Sequence, residues 1–181
     1  MPDRVKQAIF DMLAVRYETP GGLPPLPAAD LFAGSGSMGL EALSRGASRC
    51  WFYERDRDAL EALRRNIDAV DAARSATVVA ADAWRAGPRT AEGAEFELVF
   101  LDPPYRDTQD LTAGGPVRRF LGRWSDSPRQ AQAQAQLERA TRLLVVFHHP
   151  ATAALELPAD DPWTVVDRRT FGTNGVTFLS R

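Results

Sequence analysis

The sequence predicts an α/β protein, a Rossmann-like, doubly wound and mostly parallel sheet of seven strands that ends in an antiparallel hairpin. Three observations carry this expectation. Short apolar runs of strand character alternate with amphipathic runs of helical character, the pattern of parallel strands joined by crossover helices. A glycine-rich stretch, "DLFAGSGSMG" at residues 30–39, lies between the first of those strands and the helix after it. Near the end the alternation stops, and "WTVVDRRTF" and "GVTFLSR" flank "GTNG". There Asn174-Gly175 suits a tight reverse turn between paired strands.

Taken in order, residues 3–15 place Val5, Ile9, Met12 and Leu13 on one helical face, with Asp3 as its N-cap. "TPGGLPPLP" at 19–27 is a loop, because its glycines and prolines break both periodicities. "AADLFAG" reads as a buried strand and "SMGLEALSRG" as a helix closed by Gly46. "RCWFYE", "ATVVAAD", "FELVFLD" and "RLLVVFHH" supply four more strands. Helices are expected at "DRDALEALRRNIDAV" and "QAQAQAQLERA". No repeat or change of composition divides the chain, so residues 1–181 are read as one domain with its core over 28–181.

The chain has 181 residues, 44% apolar and 25% charged, which suits a globular protein with a full core. No apolar run approaches the roughly 20 residues needed to span a bilayer, and the opening "MPDRVKQAIFDML" is not a signal peptide. Cys50 is the single cysteine, so no internal disulfide forms, which fits a cytoplasmic setting; it is read as a core residue. Two histidines and one cysteine do not make a zinc site, and no metal is expected. His148 and His149, after the fifth strand, are read as surface residues. The net charge of −2 excludes an argument for nucleic-acid binding from overall charge. Locally, Arg106, Arg118, Arg119, Arg123, Arg129, Arg139 and Arg142 outnumber Asp107, Asp110, Asp126 and Glu138. Phosphate contact and solvated helix faces explain that excess equally well.

Gly34, Gly36 and Gly39 have the spacing of a phosphate- or nucleotide-binding loop, which presents free N–H groups at a helix start. Glu54 ends the second strand 20 residues after Gly34, where doubly wound folds place an acid that holds ribose hydroxyls. Asp30, Glu54, Asp82 and Asp102 end, or nearly end, four successive strands. In an open parallel sheet those carboxyl ends line one edge, where ligands bind. In "DPPY", Asp102 is an acceptor at the rim, and Pro104 biases Pro103 toward extended backbone. The Asp102 carboxylate and the Pro103 carbonyl, side by side, suit an NH2 group with two donors. Tyr105 offers a flat surface to a planar base.

"DLFAGSGSMGLEALSRG", "FYERD", the Asp82 strand end and "DPPY", in that order, resemble the amino-methylating class I S-adenosylmethionine-dependent methyltransferases. "DRVKQAIF" with "FAGSGSMGLEALSRG" resembles the RsmD family, which methylates N2 of a guanine in small-subunit (16S) ribosomal RNA. The resemblance, over residues 3–181, implies the class I methyltransferase fold and S-adenosyl-L-methionine as cofactor. It implies cofactor contacts from Asp30, Phe32, Gly34, Ser35, Gly36, Glu54, Arg55, Asp82, Ala83 and Asp102. Asp102, Pro103 and Tyr105 would form the catalytic group, with Pro104, Tyr105 and Arg106 toward the substrate. The implied partner is ribosomal RNA in a partly assembled small subunit, met by a monomer. Family members carry an upstream basic hairpin and an "RPT"-like approach, whereas this sequence opens at Met1-Pro2. The expectation is therefore weak, salt-dependent binding to free RNA. Two other readings stay open from the residues: an enzyme methylating adenine or cytosine in DNA or another RNA, and a nicotinamide-dependent oxidoreductase or non-catalytic nucleotide-binding module. The last leaves "DPPY" unexplained.

Overall fold

Helix α1 (Asp3–Arg16) buries Val5, Ile9, Phe10 and Leu13 against the sheet in this computed structural model, which describes residues 1–125 and 143–181. Pro2, in extended backbone, is its N-cap, and Asp3 is the first helical residue, an acid at the positive end of the helix dipole. The expected N-cap is thus shifted by one residue, since proline before the first turn already sets the extended entry.

Seven strands follow among the described residues: β1 (Pro27–Leu31), β2 (Arg49–Glu54), β3 (Ala76–Ala80), β4 (Leu98–Leu101), β5 (Leu144–Pro150), β6 (Thr164–Phe171) and β7 (Asn174–Ser180). They form one sheet in the order β3-β2-β1-β4-β5-β7-β6. β1 to β5 pair in parallel, and β7 runs antiparallel to both β5 and β6. Helices α2 (Ser37–Ser44) and α3 (Arg57–Ala69) join the first three strands, and α4 (Pro116–Ser125) lies between β4 and β5.

Strand periodicity divides the core in two. Leu98 and Phe100 face α1, α2 and α3, whereas Val99 and Leu101 face α4 and Trp163. Third in the glycine series, Gly39 shows why its position admits no larger residue. A Cβ there would stand 2.3 Å from Phe52 Cε1 and 2.7 Å from Cys50 Sγ, so α2 sits directly on β2. Cys50 is fully buried in that contact. Gly46, at φ +119, ends α2 as expected.

Two local expectations change. The β6–β7 turn is Gly172-Thr173, because Phe171 already pairs with Asn174 and Gly172 takes the left-handed conformation. Gly175 is glycine for another reason: a Cβ there would stand 2.4 Å from His149 Cε1. Helix α4 was not anticipated. It starts with proline at N1 and buries Val117, Phe120, Leu121 and Trp124 at helical spacing. The helix expected at "QAQAQAQLERA" lies outside the described residues. No helix among the described residues is long and apolar enough to cross a membrane.

Candidate active site

The strand order reverses between β1 and β4, since the chain winds from β1 outward to β3 and then returns to β4 and β5. The crevice outside the carboxyl ends at such a switch point is where open α/β sheets bind ligands. The loop that leaves β1 carries the glycines, and the loop that leaves β4 carries "DPPY".

On the β1 side, Phe32 and Gly34 both adopt left-handed backbone, at φ +63 and +55. A Cβ at Gly34 would meet nothing within 4 Å, so this glycine serves the backbone turn and leaves its Cα side open to approach, while its N–H is held by Glu54. Gly36, at φ +88, is also crowded: a Cβ would stand 2.5 Å from Leu63 Cδ1. Ser35 is exposed at the crest of the loop.

The acids are tied to this frame. Asp30 is 2% exposed, and its Oδ2 accepts from Gly39 N at 2.8 Å. Burial pushes its carboxyl up to about 8, against the Gly39 N–H, and the charges of Asp102 and Glu54 add to the rise. Glu54 Oε2 accepts from Gly34 N at 2.9 Å, while Oε1 accepts from Arg55 N and Asp56 N at 2.7 and 2.8 Å. Asp82 caps the single 3₁₀ turn Ala83–Arg85 by accepting from Trp84 N at 3.1 Å, with Arg55 Nη1 3.6 Å from its Oδ2.

Trp84 stitches the loops together. Its ring meets Phe32 edge-on at 4.8 Å, and its Nε1 donates to Asp107 Oδ2 at 3.0 Å. Sequence reasoning passed over Trp84, although an aromatic two residues after a strand-end acid was visible.

On the β4 side, Pro103 is buried and Pro104, in extended backbone, leads into a 3₁₀ turn over Tyr105–Thr108. Tyr105 is 64% exposed, and Arg106 is exposed beside it. A cleft of about 280 Å³ is lined by Asp102, Pro103, Tyr105, Thr108, His148, His149, Pro150, Thr173 and Asn174.

The histidines overturn the expectation of surface residues. His149 is 4% exposed, with Nε2 2.8 Å from Thr177 Oγ1 and Nδ1 2.8 Å from the Pro150 carbonyl. Burial pulls its imidazolium below the usual histidine value. His148 Nδ1 lies 2.6 Å from Asp102 Oδ1, and Nε2 lies 2.9 Å from Asn174 Oδ1. Burial opposes the His148 charge, but the Asp102 hydrogen bond and carboxylate, helped by Asn174, outweigh it and raise its pKa. The physical reason is register. Leu101 pairs with Phe147, so the next residues along β4 and β5 are Asp102 and His148.

The local arginine excess resolves partly into contacts within the fold. Arg118 pairs with Asp161 at 2.6 Å, Arg119 donates to the Gly114 carbonyl, and Arg123 donates to the Trp84 carbonyl. These three arginines are engaged within the fold. Arg129, Arg139 and Arg142, with Asp126 and Glu138, lie outside the described residues.

A glycine loop facing an acid-proline-proline-tyrosine turn across the switch point defines an α/β protein built to bind a nucleotide-like ligand. With 3-2-1-4-5-7-6 strand order, the fold is that of class I methyltransferases. It superposes on the RNA methyltransferase of Salinibacter ruber, solved with S-adenosyl-L-homocysteine, at a TM-score of 0.63 and 16% identity over 99% of this chain and 92% of that one. Residues 1–114 match the family described as Conserved hypothetical protein 95, and the chain belongs to that family. It is 40% identical over 106 residues to the YlbH protein of Bacillus subtilis (strain 168), covering 58% of this chain and 54% of that protein. It is 34% identical over 104 residues to the ribosomal RNA small subunit methyltransferase D of Haemophilus influenzae, covering 57% and 51%. The matched stretch therefore spans about half the length of these curated relatives. The resemblance to the RsmD family drawn from "DRVKQAIF" and the glycine loop stands.

Proposed function

We propose that the protein is an S-adenosylmethionine-dependent RNA methyltransferase of the cytoplasm that methylates the exocyclic N2 amine of a guanine in small-subunit ribosomal RNA. The observation that carries this reading is the place of "DPPY": Asp102 at the carboxyl end of β4, across the switch point from the Gly34 loop, with Tyr105 exposed beside it. The name of the Haemophilus influenzae relative supports ribosomal RNA as the substrate class.

The residues present suit this cofactor. Gly34 leaves its Cα side open to close approach. Glu54 Oε1 is filled by the Arg55 and Asp56 N–H groups, whereas Oε2 keeps a lone pair beyond its Gly34 bond, open to a ribose hydroxyl. Asp82 and Ala83 stand at the adenine side, and Arg55 flanks both acids. Asp30, Phe32, Ser35 and Gly36 complete the wall toward the amino-acid portion. An acidic rim suits a ligand that carries both an ammonium and a sulfonium. When bound, that ligand supplies an electrophilic methyl group.

The chain's own part is to bind, align and polarise the amine. Its lone pair is delocalised into the ring, which makes it a weak nucleophile. Hydrogen bonds to the Asp102 carboxylate and the Pro103 carbonyl draw electron density onto nitrogen and fix its direction. Alignment of that kind contributes up to about 7–11 kcal/mol of the barrier. Asp102 also stabilises the positive charge that develops on nitrogen and is the nearest acceptor for the proton it must lose. Tyr105 and Pro104 pack on the base, with Arg106 toward its phosphate. The protein acts as a monomer, and a partly assembled subunit presents the base.

The test is to incubate the full chain with methyl-labelled S-adenosylmethionine and free 16S RNA, small-subunit particles or DNA, then identify the modified nucleoside. N2-methylguanosine is expected, most of it from particles. A labelled deoxynucleoside would replace this reading with a DNA enzyme.

A further inference from the structure

Resting on the methyltransferase reading of this site, we propose that His148 is a positioning residue for the transfer: its Nδ1–H holds Asp102 Oδ1 and leaves Oδ2 as the oxygen presented to the amine. A carboxylate at a strand end turns broadly about its last torsion. A partner on one oxygen removes that freedom. The contact, at 2.6 Å, is slightly shorter than the usual charge-assisted N–H···O bond of about 2.7–2.9 Å. His148 is itself held from the far side by Asn174 Oδ1 at 2.9 Å, and Asn174 Nδ2 donates to the Phe171 carbonyl at 3.4 Å. Asp102, His148 and Asn174 thus form a line across β4, β5 and β7, inside the cleft beside Tyr105.

The same geometry makes the clamp sensitive to pH. Both ring nitrogens face acceptor oxygens, so the imidazolium satisfies both and the Asp102–His148 pair is neutral. On losing a proton, the ring keeps Nδ1–H on the charged acceptor, and the Asn174 amide can donate to Nε2 only by giving up its long contact with the Phe171 carbonyl. The pair then carries one negative charge. Positive charge gathers on the attacking nitrogen, so the charged pair is the better partner for it. Turnover therefore rises with pH through the His148 titration, which lies above the ordinary histidine value.

Other charged groups face this line. The Met1 α-amino nitrogen lies 3.7 Å from Asp102 Oδ2. Asp30 and Glu54 stand across the switch point, and His149 is the next residue on β5, with Arg168 near it. His149 titrates on the acid side of its ordinary value, away from the rise. Asp30, pushed up to about 8 and sensing the Asp102 charge, titrates in the same window, so the rise is read as kcat at saturating cofactor and compared in an Asp30→Asn background.

The experiment compares wild type, His148→Ala and His148→Asn, as full chains, across about pH 6 to 9. Asparagine retains a donor near the Nδ1 position and does not titrate. His148→Ala is expected to lower kcat about 10²-fold, with cofactor Kd and RNA KM within about threefold of wild type. His148→Asn should recover most of the loss and show a flat profile where wild type rises. Wild-type turnover in His148→Ala, or a rise that persists in His148→Asn, overturns the proposal. So does a rise that disappears when an N-terminal extension converts the Met1 amine to an amide. Nitrogen-15 NMR of the substrate-free protein gives a readout independent of activity. His148 should titrate above its ordinary value in wild type and move down in Asp102→Asn. An ordinary titration, unmoved by Asp102→Asn, overturns the clamp even if methylation is found. Absence of methyl transfer to any substrate by wild type, with the NMR coupling intact, instead removes the methyltransferase reading.

Discussion

The two halves of the sheet's carboxyl edge hold their acids by different means. On the β1-β2-β3 side the partners are backbone N–H groups, most of them close in sequence: Gly39 for Asp30, Arg55 and Asp56 for Glu54, and Trp84 for Asp82, with Gly34 reaching Glu54 from the neighbouring loop. Those acids shape the turns that carry them, and most of their bonds would form in any chain that made the same loops. On the β4-β5-β7 side Asp102 is gripped by a side chain 46 residues away, itself held by Asn174 another 26 residues on. On the proposed function, one half would be a scaffold for the cofactor and the other a tuned group. The difference teaches that substitutions on the first side should alter stability and cofactor affinity, whereas those on the second should alter turnover.

The largest effect expected from that division is at Asp102. Asp102→Asn keeps the shape but removes the charge proposed to meet the amine, so methyl transfer should fall about 10²–10³-fold. Cofactor affinity by calorimetry should change less than about threefold. A matching loss of cofactor affinity would erase the contrast between the halves.

Asp30 gives the pH test of the other half. Its folded carboxyl is pushed up to about 8 from an ordinary 3.8. Below the ordinary value both folded and unfolded chains are protonated and the group is silent. As pH rises from there to about 8, the unfolded chain releases the proton and the folded chain keeps it, so stability falls. Asp30→Asn should flatten this fall, read as urea midpoints at mildly acidic and mildly alkaline pH. An unchanged slope would show that burial does not govern this carboxyl.

Within the glycine loop two glycines differ in what holds their place. Gly39→Ala drives a methyl into Phe52 and Cys50 and should destabilise by about 1–3 kcal/mol. Gly34→Ala meets only open space, so its cost is left-handed backbone, about 1–2 kcal/mol. Thermal midpoints should fall for both, but at saturating temperature margin only Gly34→Ala should weaken cofactor binding, because its Cα side faces the crevice. Equal cofactor affinity in the two variants would move the cofactor off this loop.

What was legible in the sequence follows the same line. The strands, α1 to α3 and the glycine loop rest on local periodicity and on a 20-residue spacing, and all are visible along the chain. His148 was read as a surface residue because its partners are set by strand order. Only with β5 beside β4 does Asp102 meet a histidine. Asn174-Gly175 shows a subtler failure. The pair has the composition of a tight turn, yet Asn174 is spent on His148 and Gly175 on the space under His149, while Gly172 makes the turn. The arginine excess, open between phosphate contact and solvated helix faces, is in part neither, since Arg118, Arg119 and Arg123 are engaged within the fold. Helix α4, by contrast, had a legible apolar face and was overshadowed by counting its charges.

The smallest expected effect, and the sharpest probe of where substrate begins, is at Tyr105. It is 64% exposed, so its ring adds little to the fold, and its carbonyl, which accepts from Thr108 Oγ1 at 2.8 Å, is kept in any substitution. Stacking of a base on an aromatic ring contributes about 1–3 kcal/mol by alanine substitution. Tyr105→Ala should therefore raise KM for RNA about tenfold, with thermal midpoint and cofactor Kd unchanged. Tyr105→Phe keeps the flat surface and should stay near wild type, which separates stacking from any role of the hydroxyl. The measurement is steady-state methylation over RNA concentration for the three proteins, alongside calorimetry with the cofactor. If Tyr105→Phe is as impaired as Tyr105→Ala, the hydroxyl and not the ring contacts substrate. If neither changes KM, the base stacks elsewhere, and the boundary between tuned group and substrate surface lies beyond the "DPPY" turn.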